Sequence, residues 1–171
     1  MPRMLADAKK TLWLLEELPA EPSEPTAVEI NAGQNASCTV GKDGFNLGAG
    51  TPTTTSDGAL CDEGDLQVPT SKTYEAAMNI YRFFDPQTGQ IDPEEDFFFQ
   101  AAKEFGSELI VAYRDGGKKY DADAEDGDEV SIYVLTAGGM GRATDTGGYT
   151  KRVAHFTVTR AFEDVLVGDG S

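Results

Sequence analysis

A single histidine, His155, and two cysteines, Cys38 and Cys61, leave this sequence short of the side chains that hold metals and carry nucleophilic chemistry. Zinc centres draw on closely spaced Cys and His residues, and no such cluster occurs. Hydrolases and transferases need a nucleophile or general base held by an orienting partner. His155 instead alternates with Val153 and Thr157, as a structural residue on one face of a strand does. No spacing supports Cys38 as a nucleophile with His155 as its base. Two cysteines do not make a disulfide framework, and in a reducing cytoplasm they are expected to be small buried residues. Long apolar runs are also missing. Nothing approaches a membrane span, and the opening "MPRMLADAKK" lacks the apolar centre of a secretory signal. The expectation is a cytoplasmically made protein with no catalytic residue, cofactor or metal.

Positive charge is the next shortage. Fourteen Lys and Arg stand against thirty Asp and Glu, a formal net charge of −16. Nucleic-acid binding replaces condensed counterions with Lys and Arg, so sequence-specific DNA or RNA binding is excluded, and adhesion to anionic membranes with it. Such acidity keeps a concentrated protein soluble and suits a surface that DNA must pass without sticking.

What is present is a core. Of 171 residues, 39% are hydrophobic, including nine Phe, six Tyr and one Trp, enough for one domain over residues 1–171. Nineteen glycines and eight prolines between short apolar runs point to many turns and a β-rich fold.

Along the chain, "KTLWLLEEL" suits a strand or a short helix, and "PAEPSEP" (19–25) is a stiff connector that ends an N-terminal arm, residues 1–25. "TAVEINAG" and "SCTVG" alternate and predict half-buried strands. Residues 41–65 are rich in Gly, Thr, Ser and Asp and predict a long loop or hairpin projecting from the body. "TSKTYEAAMNIYRFFD" gives the clearest strand, with Tyr74, Ala76, Met78 and Ile80 on a buried face and Thr73, Glu75, Ala77 and Asn79 on a small polar one. A helix is predicted over about residues 93–105, capped by Asp92 with Pro93 and Glu95 behind it. Phe98, Ala101, Ala102 and Phe105 would form its stripe, and Gly106 its end. "ELIVAYR", "EVSIYVLT" and "KRVAHFTVTRAF", with an extension at "DVLV", predict three further strands. "AGGMGRATDTGGY", between the last two, lacks the ending of a phosphate loop and predicts a flexible joint. The sum is a mainly β fold, a β-sandwich or barrel-like body with one flanking helix and a long projecting loop.

"DADAEDGDE" (121–129) places six carboxylates in nine positions. Counted as a calcium loop from Asp121, it puts Asp126 where the bend needs glycine and Ile132 where a bidentate glutamate belongs. It predicts a solvated acidic turn.

The segments "DAKKTLWLL", "PAEPSEPTAVEINAG", "ALCDEGD", "YEAAMNIYRFFD", "DPEEDFFFQAAKEFG" and "GYTKRVAHFTVTRAFEDV" together resemble the major tail (tail tube) proteins of long-tailed, non-contractile phages of actinobacteria, from Ala6 to Val167. The order of segments carries the resemblance. It implies a virion tail protein, assembled in the host cytoplasm, that forms hexameric rings stacked into a tube whose acidic lumen conducts DNA. Tape-measure, tail-terminator and baseplate proteins would be its neighbours. On that basis Thr73, Glu75 and Asn79 are the candidate lumen face. Lys42, Phe45, Leu47, Thr53, Thr54, Asp57 and Leu60 are the candidate contacts between rings or subunits. Two alternatives stay open: a ring-forming head-tail connector or tail-terminator, and a stand-alone β-sandwich module for a ligand or calcium.

Overall fold

The computed structural model describes residues 7–64, 66–142 and 147–169. Its strands are β1 (Lys10–Leu15), β2 (Gln34–Asn35), β3 (Asn46–Ala49), β4 (Thr53–Asp57), β5 (Leu66–Ser71), β6 (Tyr74–Tyr81), β7 (Glu108–Asp115), β8 (Glu129–Arg142) and β9 (Lys151–Leu166). Two short helices accompany them, α1 (Ala27–Asn31) and α2 (Phe97–Ala102). Seven strands form one antiparallel sheet in the order β2-β1-β7-β8-β9-β6-β3, and among the described residues β4 pairs only with β5.

The two margins of the large sheet, β2 and β3, belong to one stretch of chain, residues 34–49. Ala36 donates its amide to the Leu12 carbonyl at 2.7 Å, and a few residues later Gly41 donates to Asn79 at 2.9 Å while Tyr81 donates to Thr39 at 2.8 Å. The stretch thus lies against β1 at one end and β6 at the other, rolling the sheet into a barrel-like body. Inside sit Leu12, Met78, Ile80, Val111, Leu135, Phe156 and, from α2, Phe98.

A second cluster covers the outer face of β1, β7 and β8. Trp13, Leu15, Ile110, Ala112, Ile132 and Val134 pack there under Ile30 of α1, Ala124 and Val167. These strands are therefore buried on both faces, which is why "TLWLL", "ELIVAY" and "VSIYVL" read as nearly continuous apolar runs.

Four local expectations need correction. "TAVEINAG" is not a strand. Thr26 Oγ1 accepts from the Glu29 amide at 3.2 Å and Glu29 Oε1 accepts from the Thr26 amide at 3.1 Å, a capping box that opens α1. Val28, expected on a buried face beside Ile30, is 80% exposed. Gly33 ends this unit because a Cβ there would lie 2.7 Å from the Leu14 carbonyl oxygen of β1. Thr26→Ala should lower stability by about 1 kcal/mol in urea titrations. "SCTVG" is likewise no strand, but a turn with one bridge, Val40 to Ile80.

The flanking helix is also shorter than residues 93–105. Asp92 caps only a turn, accepting from the Glu94 amide at 3.1 Å, and α2 starts after Asp96. Its buried face is Phe98, Phe99 and Ala102, whereas Ala101 and Phe105 are exposed. The chain leaves the helix before Phe105 can reach the stripe. The first six residues of the glycine-rich joint are strand, because β8 continues to Arg142. Gly138 is needed in it, since a Cβ would press within 3.0 Å of the His155 carbonyl oxygen. Of the joint's remainder, residues 143–146 lie outside the described residues and residues 147–149 form a bend.

Candidate functional site

On β6 the alternation sends Ala76, Met78 and Ile80 inward and Glu75, Ala77 and Asn79 outward. Antiparallel pairing sets Ala77 beside His155 and Asn79 beside Val153 on β9, so His155 belongs to this outer face and is exposed. Glu75 is exposed and accepts from Asn46 Nδ2 at 2.7 Å. Thr73 and Asn79 are tied to the neighbouring stretch, donating to the carbonyls of Thr51 (2.7 Å) and Asp43 (2.9 Å). The sequence therefore brought Thr73, Glu75 and Asn79 to one small, polar and lightly charged surface.

The candidate contact residues divide between two places. Phe45 and Leu47 pack against the interior cluster, Phe45 with its ring 5.3 Å from that of Tyr113, so both belong to the barrel wall. Lys42 is exposed beside them. Thr53, Thr54 and Asp57 lie on β4, and Leu60 sits at the tip of the β4–β5 ribbon. That ribbon runs on to Ser71, past the limit of residue 65 read from composition, while Asp65 itself lies outside the described residues. Every described residue from Thr51 to Lys72 is exposed, including the apolar Leu60, Leu66 and Val68. Cys61, at the tip, and Cys38 are both exposed, not buried as expected.

The acidic stretch 121–129 is more than a solvated turn. Its outer carboxylates, Asp121, Asp123 and Asp126, face water, but its backbone is folded over Arg114, which is 2% exposed. Arg114 Nη2 donates to the carbonyls of Ala122 (2.7 Å) and Lys119 (3.1 Å) and to Thr11 Oγ1 (3.1 Å). Its Nη1 donates to Asp123 O at 3.2 Å and to Asp128 Oδ2 at 3.1 Å. Asn31 clasps Ala124 from α1, accepting its amide at 2.8 Å and donating to its carbonyl at 2.9 Å. Burial alone would raise the Asp128 carboxyl. Hydrogen bonds from Lys118, the Glu125 amide and Arg114 outweigh it and hold the group below its ordinary value. Among the described residues, no group of His, Cys, Asp and Glu is arranged to hold a metal ion.

Nearby, burial and then the charge of Asp115 push the Tyr113 phenol up to about 12. Burial, then the hydrogen bond to Glu163, raises Tyr133 further, and its hydroxyl donates to Glu163 at 2.8 Å. Both phenols stay neutral and add no negative charge beside Asp115 and Glu163.

Two arrangements escaped the sequence entirely. Arg82 and Asp96 form a buried ion pair at 3.2 Å, with side chains 7% and 0% exposed. The Arg82 guanidinium lies 3.6 Å from the centre of the Phe99 ring, with that of Arg152 5.5 Å from the same ring. No sequence spacing signals them, because their partners come from different elements.

The profile of a family described as phage tail tube protein matches residues 1–168. The chain belongs to the phage tail tube protein family. As a phage tail tube protein it is a structural component of the virion tail, one that assembles with itself into a tube and associates with other tail components. The mainly antiparallel β body agrees with the fold expected of it. No curated protein matches the chain. Among the described residues of this tail tube protein, no helix is long and apolar enough to cross a membrane.

Proposed function

We propose that copies of this chain form hexameric rings that stack into the tail tube, with Thr73, Glu75 and Asn79 facing a lumen that conducts DNA and the β4–β5 ribbon bridging neighbouring copies. One observation carries this reading. A two-stranded ribbon is marginal in water by itself, yet this one leaves Leu60, Leu66 and Val68 exposed and pairs with no other strand among the described residues. A neighbouring copy would supply the missing cover.

The outer face of β6 suits a channel wall because Glu75, Ala77 and Asn79 are small or polar, with Glu75 the carboxylate on β6 that repels phosphate. Tape-measure protein and DNA would pass along it, with terminator and baseplate proteins at the tube ends. The chain's acidity then serves passage as well as solubility.

Negative-stain electron microscopy of concentrated protein should show stacked annuli with a central hole. Single rings that never stack would favour a terminator or connector. For the lumen, Glu75→Cys in a Cys38→Ser, Cys61→Ser background should react fully with a small thiol reagent in open-ended tubes. An unreactive thiol there, reactive in the unassembled subunit, would place this face in an interface and refute the lumen assignment. Removing the ribbon tip should abolish regular tubes.

A further inference from the structure

The longest strands give the subunit two ends of opposite character. β8 and β9 pair from Glu129–Leu166 at one end to Arg142–Arg152 at the other. At about 3.3 Å per residue these ends stand roughly 40 Å apart.

At the first end the barrel mouth is lined by Asp115, Asp128, Glu129, Glu163 and Asp164. Lys10, Arg114, Lys118 and Lys72 neutralise Asp115, Asp128 and Glu163. No described cation pairs with Glu129, Asp164, or the neighbouring Asp121, Asp123 and Asp126.

The second end is the reverse. Phe99 is flanked by the guanidiniums of Arg82 and Arg152, Arg142 is the strand partner of Arg152, and Lys151 adjoins it. Asp96 occupies Arg82, but Arg142, Arg152 and Lys151 have no acidic partner among the described residues. Burial, then the charges of Arg142 and Arg82, hold Arg152 below the ordinary guanidinium range. In a molecule of net charge −16, three cations at this end, Arg142 and Arg152 on one strand face and Lys151 on the other, with no carboxylate partner among the described residues, make an open seat. Guanidiniums bind carboxylates in forked pairs, and one fixed against an aromatic ring loses less freedom in doing so.

We propose that this arginine seat binds the acidic β7–β8 end of a second copy of the chain. Because the complementary patches lie at opposite ends, the contact is heterologous: each copy offers a seat to one neighbour and an acidic loop to another, and the series propagates. The inference rests on the self-assembly proposed above and adds which surfaces meet and in which polarity.

The test is charge exchange. Arg142→Glu with Lys151→Glu should raise the concentration needed for tube formation by about tenfold or more, and so should Asp121→Lys with Asp126→Lys. Each pair lies on exposed or half-buried positions, so an unchanged melting point will separate lost contact from lost fold. Mixing the two variants should restore assembly, since the reversed seat fits the reversed loop. Raising salt should weaken wild-type tubes. If wild type and both variants form tubes at the same concentration, the seat is refuted and the tail tube reading stands. If wild type never assembles, both fail. If wild type is retained on immobilised DNA and the seat variant is not, while tubes are unaffected, the seat serves phosphates and the proposal is overturned.

Discussion

Replacing Arg114 with alanine should destabilise the fold by about 3–5 kcal/mol, the cost of stripping a buried charge from its partners. Arg114 organises a loop whose own sequence cannot fold it. The carbonyls of Lys119, Ala122 and Asp123, the Thr11 hydroxyl and the Asp128 carboxylate all converge on one guanidinium. Without it the carbonyls of Ala122 and Asp123 lose the guanidinium, that of Lys119 keeps only the Ala122 amide, Asp128 keeps only Lys118 as a cation, and Ala124 loosens over the outer apolar cluster. Arg114→Lys should recover little, because one ammonium cannot reach acceptors set in several directions around a planar guanidinium. A melting point lower by roughly 10 °C would express this loss. A change under 1 °C would mean that the loop folds without its centre.

Acid should expose the same dependence. Asp128 is held below its ordinary value of 3.8. A carboxyl depressed in the fold contributes stability above its unfolded value and loses it as pH falls through the folded one. The difference in stability between wild type and Asp128→Asn should therefore be full at neutral pH and shrink below about pH 4.

Asp96→Ala is the second large loss expected, again about 3–5 kcal/mol. The Asp96 carboxylate accepts from Arg82, from the Phe83 amide at 3.1 Å and from Gln100 Nε2 at 3.0 Å, so it joins the end of β6 to the start of α2. Its removal leaves Arg82 buried against Phe99 without a counter-charge. Arg82→Met with Asp96→Leu should regain most of the loss, because an apolar pair of similar volume avoids desolvating both charges. If the double variant were no more stable than Asp96→Ala, the carboxylate would act on α2 alone and not through the pair. Chemical denaturation of the three variants reads this directly.

Much of the body could be read from residue order. β6 and β9 alternate, and β1, β7 and β8 carry the apolar runs of strands covered on both sides. The failures have physical causes. α1 is only five residues long, too short for a helical period to show, and Val28 with Ile30 imitates the alternation of a strand. The Thr26-to-Glu29 spacing was the better signal. Phe45 and Leu47 resemble loop residues because their neighbours are Gly and Asn, yet the barrel needs their rings and methyls. The charged pairs of Arg82 and Arg114 stayed hidden because each partner lies fourteen positions away across a turn or helix. Composition identified the projecting segment but not its limits, since threonines suit an exposed ribbon as well as a loop.

The stretch 34–49, lying along β1 and then along β6, has a further consequence. A sheet with two bare margins can be lengthened by any neighbour's strand, and the process need not stop. Here one segment covers half of the β1 margin and nearly all of the β6 margin, so the barrel resists growth by strand addition. Copies crowded together must meet through side chains, loops and the single ribbon, where geometry sets both register and direction. Orderly polymerisation is thereby separated from runaway sheet growth within one backbone.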